Sequence, residues 1–335
     1  MCTRILPLLL LLLGSTAPLT AQSSLFDYLA EQADTVVLEM DTDWRRLKNQ
    51  KRKKEYQPLV LTLRRPGRAP LRLRGKVRAR GHIRLEVCSN PSLKIKLKKA
   101  DLLAAGFSDL NDLKVVQQCS ASPIGQNYLR RERALYGLHR VFSDYYHRTV
   151  PVVLQTDSTQ QTTSHAFLIE AEEQLAARYD GKILESKRAS VRGLRRDEYV
   201  NLCLFNYLIL NSDWQIFNLH NVEIVGTEGD NLLIPIPYDF DYAGLVGTTY
   251  AVQRPNVAAE SVQTPVWLGR NITPAELLTG TEHFMSLRLV AEAFVSDHPT
   301  LSEREKKRWL RRMADFYATI DSPRGRARLL RSGPK

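Results

Sequence analysis

Four side chains that carry carboxylate or amide oxygens stand close together in residues 211–244. Asp213 is followed five residues later by Asn218, and Asp239 and Asp241 are separated by a single residue. An Asp-x4-Asn loop followed by an Asp-Phe turn is typical of sites that activate a hydroxyl and hold Mg²⁺ beside a phosphate. Mg²⁺ accepts one or two carboxylates together with amide, water or phosphate oxygens. The spacing therefore predicts catalytic roles for Asp213 and Asn218, with Asn218, Asp239 and Asp241 as metal ligands.

The elements around these residues favour a site over a set of ordinary turns, although Asp and Asn are common in turns as well. Residues 199–210 are almost wholly apolar and predict a buried helix. Residues 221–225 and 232–236 have the composition of strands joined by a Gly-rich turn. A buried helix would thus deliver one acidic loop, and a hairpin would carry the chain to the second.

One choice within the first loop stays open. Asn221 competes with Asn218 for the amide role, because the spacing of the asparagines allows either. His220 lies between them, and we expect it to be structural, since the loop already provides a carboxylate for proton transfer.

Several short motifs, taken in order, resemble the CotH kinase-like family, named for the spore coat protein CotH. They run from residue 78 to residue 244: Arg-x-Arg-Gly (78–81), Pro-x-Leu-Lys-x-Lys (91–96), Leu-Arg-Arg-Glu (129–132), Phe-Leu-Ile-Glu (167–170), Asn-x-Asp-Trp (211–214) and Ile-Pro-Tyr-Asp-Phe-Asp-Tyr-Ala-Gly (236–244). The resemblance implies an α+β, two-lobed atypical protein kinase-like fold. Its β-rich N-terminal lobe would span residues 22–170, and its mainly helical C-terminal lobe residues 171–335.

The same resemblance implies transfer of the ATP γ-phosphoryl group, with Mg²⁺ or Mn²⁺, to a hydroxyl acceptor. The acceptor would be a Ser or Thr of a secreted or surface protein, or a small molecule. Five residues would bind the nucleotide: Arg80, Lys94, Lys96, Glu132 and Glu170. Of the two lysines, Lys94 is favoured over Lys96 for the phosphates. Glu132 would orient that lysine from the following helix, and Glu170 would line the base or ribose at the hinge between the lobes.

The charge of the chain is positive and uneven. The formal net charge is +12, and residues 45–99 carry 20 Lys and Arg against only Glu55 and Glu86. Such a segment indicates contact with phosphate, nucleic acid or an anionic surface. It supports an alternative function, a catalytically weak or inactive surface protein of the same fold that binds an anionic polymer. A metal-dependent hydrolase is a third class, since Asp pairs also build phosphatase sites.

The N-terminus predicts export. Residues 1–21 combine Arg4, an apolar run and a final Leu-Thr-Ala, the pattern of a cleaved signal peptide. The protein is therefore expected in the periplasm, at the cell surface or secreted. No later apolar run is long enough to span a membrane.

Three cysteines follow the predicted signal peptide. Cys203 falls in the apolar helix and is expected to be a packed thiol. Cys88 and Cys119 either pair or stay reduced, and the sequence leaves both open. Elsewhere, residues 45–54 predict a basic connector and residues 324–335 a frayed basic end.

Overall fold

The computed structural model describes residues 22–31, 36–156, 163–229, 231–254, 257 and 259–333. The predicted signal peptide lies outside this part of the chain. Across the described ranges, none of the helices combines the length and the apolar character that crossing a bilayer requires.

The described residues form ten strands in two sheets. Their bounds are β1 Val36–Asp41, β2 Gln57–Arg64, β3 Leu71–Arg80, β4 Ser92–Leu97, β5 Asp112–Gln117, β6 Thr149–Gln155, β7 Thr163–Ile169, β8 Gly181–Ile183, β9 Val222–Thr227 and β10 Leu233–Pro237.

Seven of these strands close into a barrel, in the order β1, β2, β3, β4, β5, β7, β6. β1 pairs antiparallel with β2 and parallel with β6, so both edges of the sheet are paired. Alternate residues, among them Leu59, Leu61 and Leu73, fill the interior. The α+β class predicted from the sequence is confirmed. The sequence does not predict that the sheet closes into a barrel, and this barrel differs from the N-terminal sheet of a typical two-lobed kinase.

Eleven α-helices lie in the described ranges. Their bounds are α1 Leu25–Ala30, α2 Trp44–Asn49, α3 Ile83–Val87, α4 Lys99–Ala104, α5 Pro123–Phe142, α6 Glu172–Arg178, α7 Arg196–Leu208, α8 Pro274–Ser286, α9 Arg288–Ser296, α10 Glu303–Asp321 and α11 Pro323–Ser332.

The C-terminal half packs these helices around α7, which is buried along nearly all of its length. Aromatic side chains of α8 and α10, including Phe284, Trp309 and Phe316, share one core with α5 and α7. The smaller sheet, β10–β9–β8, lies in the same half. The predicted lobe boundary at residue 170 falls just after β7 ends.

Two local expectations are wrong. Residues 45–54 are not a plain connector, because Asp43 caps α2 and a 3₁₀ turn, Lys51–Lys53, follows. The last residues are not frayed up to Ser332. Ser322 caps α11, Pro323 occupies its first turn, and Leu329 is buried.

The cysteines resolve the question that the sequence leaves open. Cys88 and Cys119 form a disulfide that joins the end of α3 to the segment between β5 and α5. Cys203 is a free, buried thiol in α7, as expected.

Candidate active site

The first acidic loop leaves α7 through a chain of amide contacts. Asn206 accepts a hydrogen bond from Asn211 Nδ2 at 2.8 Å, and Asn211 Oδ1 accepts from the Asp213 backbone N–H at 3.0 Å. Asn206 and Asn211 are both buried, and Trp214 is buried directly after the acid. The buried helix therefore fixes the position of Asp213, while its carboxylate stays partly exposed.

Two neighbours hold the Asp213 carboxylate. His220 Nε2 lies 2.9 Å from Oδ1, and Asn221 Nδ2 donates to Oδ2 at 3.0 Å and to the backbone oxygen at 2.7 Å. Asn218 is exposed at the turn and does not line the cleft. The contacts thus favour Asn221 over Asn218 for the amide role. His220, expected to be structural, contacts Asp213 directly and helps to orient its carboxylate.

The second loop is anchored by Phe240. Its ring is fully buried, with its centroid 4.7 Å from Tyr136 and 5.6 Å from Phe205. This anchor places Asp239 and Asp241 on either side of it. Asp239 donates its backbone N–H to the Tyr136 hydroxyl at 2.9 Å, and Asp241 Oδ2 accepts from the Tyr250 hydroxyl at 2.9 Å.

The backbone of this region is strained. Seven described non-glycine residues have a left-handed φ, and four of them lie here: Leu210, Leu219, Asn221 and Asp239. Each such residue costs on the order of 1 kcal/mol, and strain of this kind clusters at functional sites. At Leu210 this conformation ends α7, where the Asn211 N–H donates to the Asn206 backbone oxygen; the other three residues lie in the loops that carry the acidic residues.

Both loops face one cleft of about 240 Å³. The cleft is lined by the segment from Arg80 to Arg84 and by Asp213, His220, Asn221, Asp239, Asp241 and Tyr242. Sequence analysis predicts four of these residues: Arg80, Asp213, Asp239 and Asp241. The lining of the cleft thus combines guanidinium groups with carboxylates.

A buried ion pair supports the basic side. Arg84 Nη1 lies 3.0 Å from Glu132 Oε2 and 3.9 Å from Asp241 Oδ2, and Arg84 Nη2 donates to the Gln117 backbone oxygen at 3.0 Å. Glu132 is therefore the partner of an arginine and not of the predicted lysine. Arg84 is missed by sequence reasoning, since nothing distinguishes it within its basic segment; only its place between Ile83 and Leu85 hints at burial.

Burial sets the protonation of this network. It raises the pKa of Glu132 to about 7, against the opposing charge of Arg84 and with the support of Asp239. Burial and Asp239 also raise the pKa of Asp241 well above its usual range. Burial alone would lower the pKa of Arg84, but Tyr250, Glu132 and the two aspartates more than offset it, so Arg84 stays charged. Arg84 is therefore a buried cation beside two acids, Glu132 and Asp241, whose pKa values are raised.

The other predicted nucleotide residues lie elsewhere. Lys94 Nζ is 2.7 Å and Lys96 Nζ 3.9 Å from Asp112, and neither lysine lines the cleft. Glu170 is fully buried between Arg148 and Arg178, at 2.7 and 2.8 Å. Its carboxylate serves a structural charge cluster and does not face the cleft, because both arginines close over it.

A lysine that sequence reasoning overlooks occupies the strand leading into α5. Lys114 on β5 is almost completely buried, 2.6 Å from Glu172 Oε1 and 3.4 Å from Glu223 Oε1. It links the barrel to α6 and β9. The available signal is a lysine in the strand directly before the helix that carries Glu132, whereas Lys94 lies one strand earlier.

The donor set suits Mg²⁺ held mainly by a phosphate ligand. Within the described ranges, no group of three or more His, Cys, Asp or Glu side chains is placed to hold a metal by itself. No hydrogen bond or ion pair of the described residues occupies the Asp239 carboxylate, which lines the cleft. One or two carboxylates beside phosphate oxygens are what Mg²⁺ uses in such sites.

Comparisons with known proteins add little to this geometry. No family model and no curated protein matches the chain. Among solved structures, a crystal structure of the Helicobacter pylori proinflammatory kinase CtkA is similar, with a TM-score of 0.42 and 9% sequence identity, over 70% of this chain and 94% of that one. A similarity at this level does not establish a shared fold or function, and the CotH kinase-like family remains a resemblance of motifs.

Proposed function

We propose that the protein is a CotH-like phosphotransferase that passes the γ-phosphoryl group of ATP to a hydroxyl acceptor, assisted by Mg²⁺ or Mn²⁺. One observation carries the proposal. A single cleft combines three features: Asp213, whose carboxylate two partners hold; Asp239, whose carboxylate no described residue pairs with; and the guanidinium groups of Arg80 and Arg84.

Asp213 would orient the acceptor hydroxyl and accept its proton, because it is the partly exposed carboxylate that His220 and Asn221 hold in one direction. Holding a reacting group in one orientation lowers the entropic part of the activation barrier for attack of the hydroxyl on the phosphate. Asp239 would be the main metal ligand, and Asp241 would be a second ligand or would orient the first. A bound divalent ion supplies charge neutralisation for the phosphate oxygens.

The guanidinium groups that line the cleft would act on the same phosphates. Arg80 reaches the cleft from the end of β3, and Arg84 is held by Glu132. Pre-oriented cations stabilise charge that develops on a transferring phosphoryl group. Glu132 is thus a positioning residue for Arg84.

The predicted signal peptide supports the proposed compartment, and the family resemblance supports the proposed acceptor. The predicted signal peptide would export the protein, so the acceptor would be a Ser or Thr of a secreted or surface protein. The alternative is a catalytically weak or inactive protein that binds an anionic polymer, and the basic residues of β3 and β4 support it. It predicts binding without formation of ADP.

The test is a transfer assay with γ-labelled ATP, Mn²⁺ or Mg²⁺, and dephosphorylated casein as acceptor. The proposal predicts ADP together with labelled protein, and a loss of at least about a hundredfold in rate for Asp213→Asn. Asp109→Asn, an exposed change outside the cleft, serves as the matched control and should keep the wild-type rate. Free phosphate without labelled protein would indicate a hydrolase, and absence of any metal-dependent turnover would overturn the proposal.

A further inference from the structure

The outer face of β3 and β4 is a continuous row of cations. Side chains of a strand alternate between its faces, so Arg72, Arg74, Lys76, Arg78 and Arg80 lie on one face of β3. On the neighbouring strand, Lys96 stands opposite Lys76, and Lys94 stands opposite Arg78. The barrel interior lies on the other face, where Leu73 and Val77 are buried.

This arrangement is unfavourable for the fold by itself. Like charges directly opposite each other across two strands destabilise a sheet. Only part of the charge is neutralised within the described ranges: Asp101 pairs with Arg74 at 2.6 Å, and Asp112 is shared by Lys94 at 2.7 Å and Lys96 at 3.9 Å. No carboxylate of these ranges forms an ion pair with Lys76, Arg78 or Arg80. The row therefore keeps a positive surplus that an anionic ligand would relieve.

The row leads into the cleft. β3 ends at Arg80, which lines the cleft together with Asp213. A ligand lying along Lys76 and Arg78 would therefore continue toward the proposed catalytic carboxylate. The surplus charge is thus placed beside the path of an acceptor.

The chemistry of the row favours a polypeptide over a nucleic acid. The ring of Tyr56 lies under Lys76 and Arg78, at 4.7 and 5.2 Å from its centroid, so it holds the cations and is not offered to a base. Single-stranded nucleic acids are normally bound with aromatic side chains that stack on the bases. An extended peptide with acids at alternate positions repeats every two residues, about 7 Å, as the cations of β3 do.

We propose that this face binds an acidic segment of the acceptor polypeptide, adjoining the hydroxyl that is delivered to Asp213. The inference rests on the proposed function and specifies its substrate class: a Ser or Thr flanked by acidic residues at alternating positions. Lys76 and Arg78 are the central contacts, and Lys94 and Lys96 widen the surface.

The test measures binding without nucleotide. A fluorescent peptide of alternating Glu and Ser is titrated with the wild-type protein and with Lys76→Gln/Arg78→Gln, and binding is followed by fluorescence anisotropy. The matched control, Arg324→Gln/Arg328→Gln on α11, removes the same charge far along the chain. The dissociation constant should rise about tenfold for the β3 variant and stay near the wild-type value for the control.

Three results would overturn the inference. Equal weakening in both variants would mean that net charge alone attracts the peptide. An unchanged dissociation constant in the β3 variant would remove Lys76 and Arg78 from the contact. Oligothymidylate of the same charge that binds tighter than the peptide, and is weakened by the same substitutions, would make the face a nucleic-acid site. Circular dichroism of both variants confirms folding, since the substituted side chains lie on the surface.

The outcome is separable from that of the proposed function. Peptide binding that depends on Lys76 and Arg78, without any ADP formation in the transfer assay, would leave this surface standing and remove the phosphotransferase. ADP formation together with peptide binding that does not depend on Lys76 and Arg78 would support the phosphotransferase and remove this surface as the peptide site.

Discussion

The carboxylate of Asp213 is held from two sides, and this makes the asparagine beside it more than a turn residue. Asn221 contacts both the side chain and the backbone of Asp213 and adopts a left-handed φ of 54°. Asn218 is turned outward, because the backbones of Gln215 and His220 pair with each other and close the loop between them.

Replacing Asn221 should therefore cost far more activity than replacing Asn218. Glycine accepts the left-handed φ, so Asn221→Gly removes the amide without adding backbone strain. We expect a fall of about a hundredfold in kcat of the transfer assay, because Asp213 loses an orienting partner. Asn218→Gly is the matched control and should stay close to wild type. A larger loss for Asn218 would reverse the assignment.

The sequence predicts the acidic residues of the cleft well and their contact partners poorly. Asp213, Asp239 and Asp241 belong to short motifs in fixed local spacing, and they do meet in one cleft. Arg84 and Lys114 acquire their surroundings from segments far away in the chain, so local pattern carries no sign of which basic residue is buried. Lys94 looks equally suitable in sequence but meets Asp112 instead.

Among the elements, α3 and α5 matter most for the cleft, because one carries Arg84 and the other Glu132. The Cys88–Cys119 disulfide ties the end of α3 to the segment that enters α5. It thus fixes the two elements whose side chains form the buried ion pair.

Reduction of this disulfide should destabilise the protein. The bond spans 31 residues, and in the chain-entropy model a loop of this size contributes about 4 kcal/mol to the free energy of unfolding. Urea unfolding with and without a reducing agent measures the loss. Cys88→Ser/Cys119→Ser is the control and should not respond to the reducing agent. Equal stability of the oxidised and reduced wild type would contradict the prediction.

Elements with a clear hydrophobic periodicity are predictable from the sequence, and helices that depend on their caps are less predictable. β2 and β3 alternate clearly in sequence and appear as strands, and the apolar α7 is buried as expected. The basic end of the chain has no such pattern. There, Ser322 and Pro323 start α11, and packing of Leu329 holds it.

Considered as a whole molecule, the chain closes one core inside the barrel and builds a second around α7. The closing contact is the parallel pairing of β1 with β6, for example Val36 beside Val152. Partners so far apart in sequence leave no periodic trace in either strand. The α+β class is therefore predictable from the sequence, whereas the barrel is not.

The junction between the two halves should make the fold sensitive to acid. His147 is buried beside Tyr136 and Tyr238, and both ring nitrogens lack a hydrogen-bond partner among the described residues. Burial, aided by the charge of Lys114, lowers the pKa of His147 to about 3. The unfolded chain, with an ordinary histidine pKa of about 6.5, binds more protons below that pH.

Stability should therefore fall as the pH drops from about 6.5 toward 3, since protons bind preferentially to the unfolded state. At pH 5, His147 alone accounts for about 2 kcal/mol of this loss. His147→Leu should flatten the pH profile of the unfolding free energy by that amount, and His165→Leu, at an exposed position, should leave it unchanged. Identical profiles for all three proteins would exclude His147 as the source.

Titration calorimetry shows whether Asp239 and the arginines of the cleft form a metal-assisted nucleotide site. ATP is titrated into the protein with Mg²⁺, with EDTA, and with Mg²⁺ after Asp239→Asn; Asp109→Asn is the control. We expect binding that needs both Mg²⁺ and Asp239 and that survives in the control. Binding of equal strength in EDTA and in Asp239→Asn, or none to ATP in any condition, would contradict it.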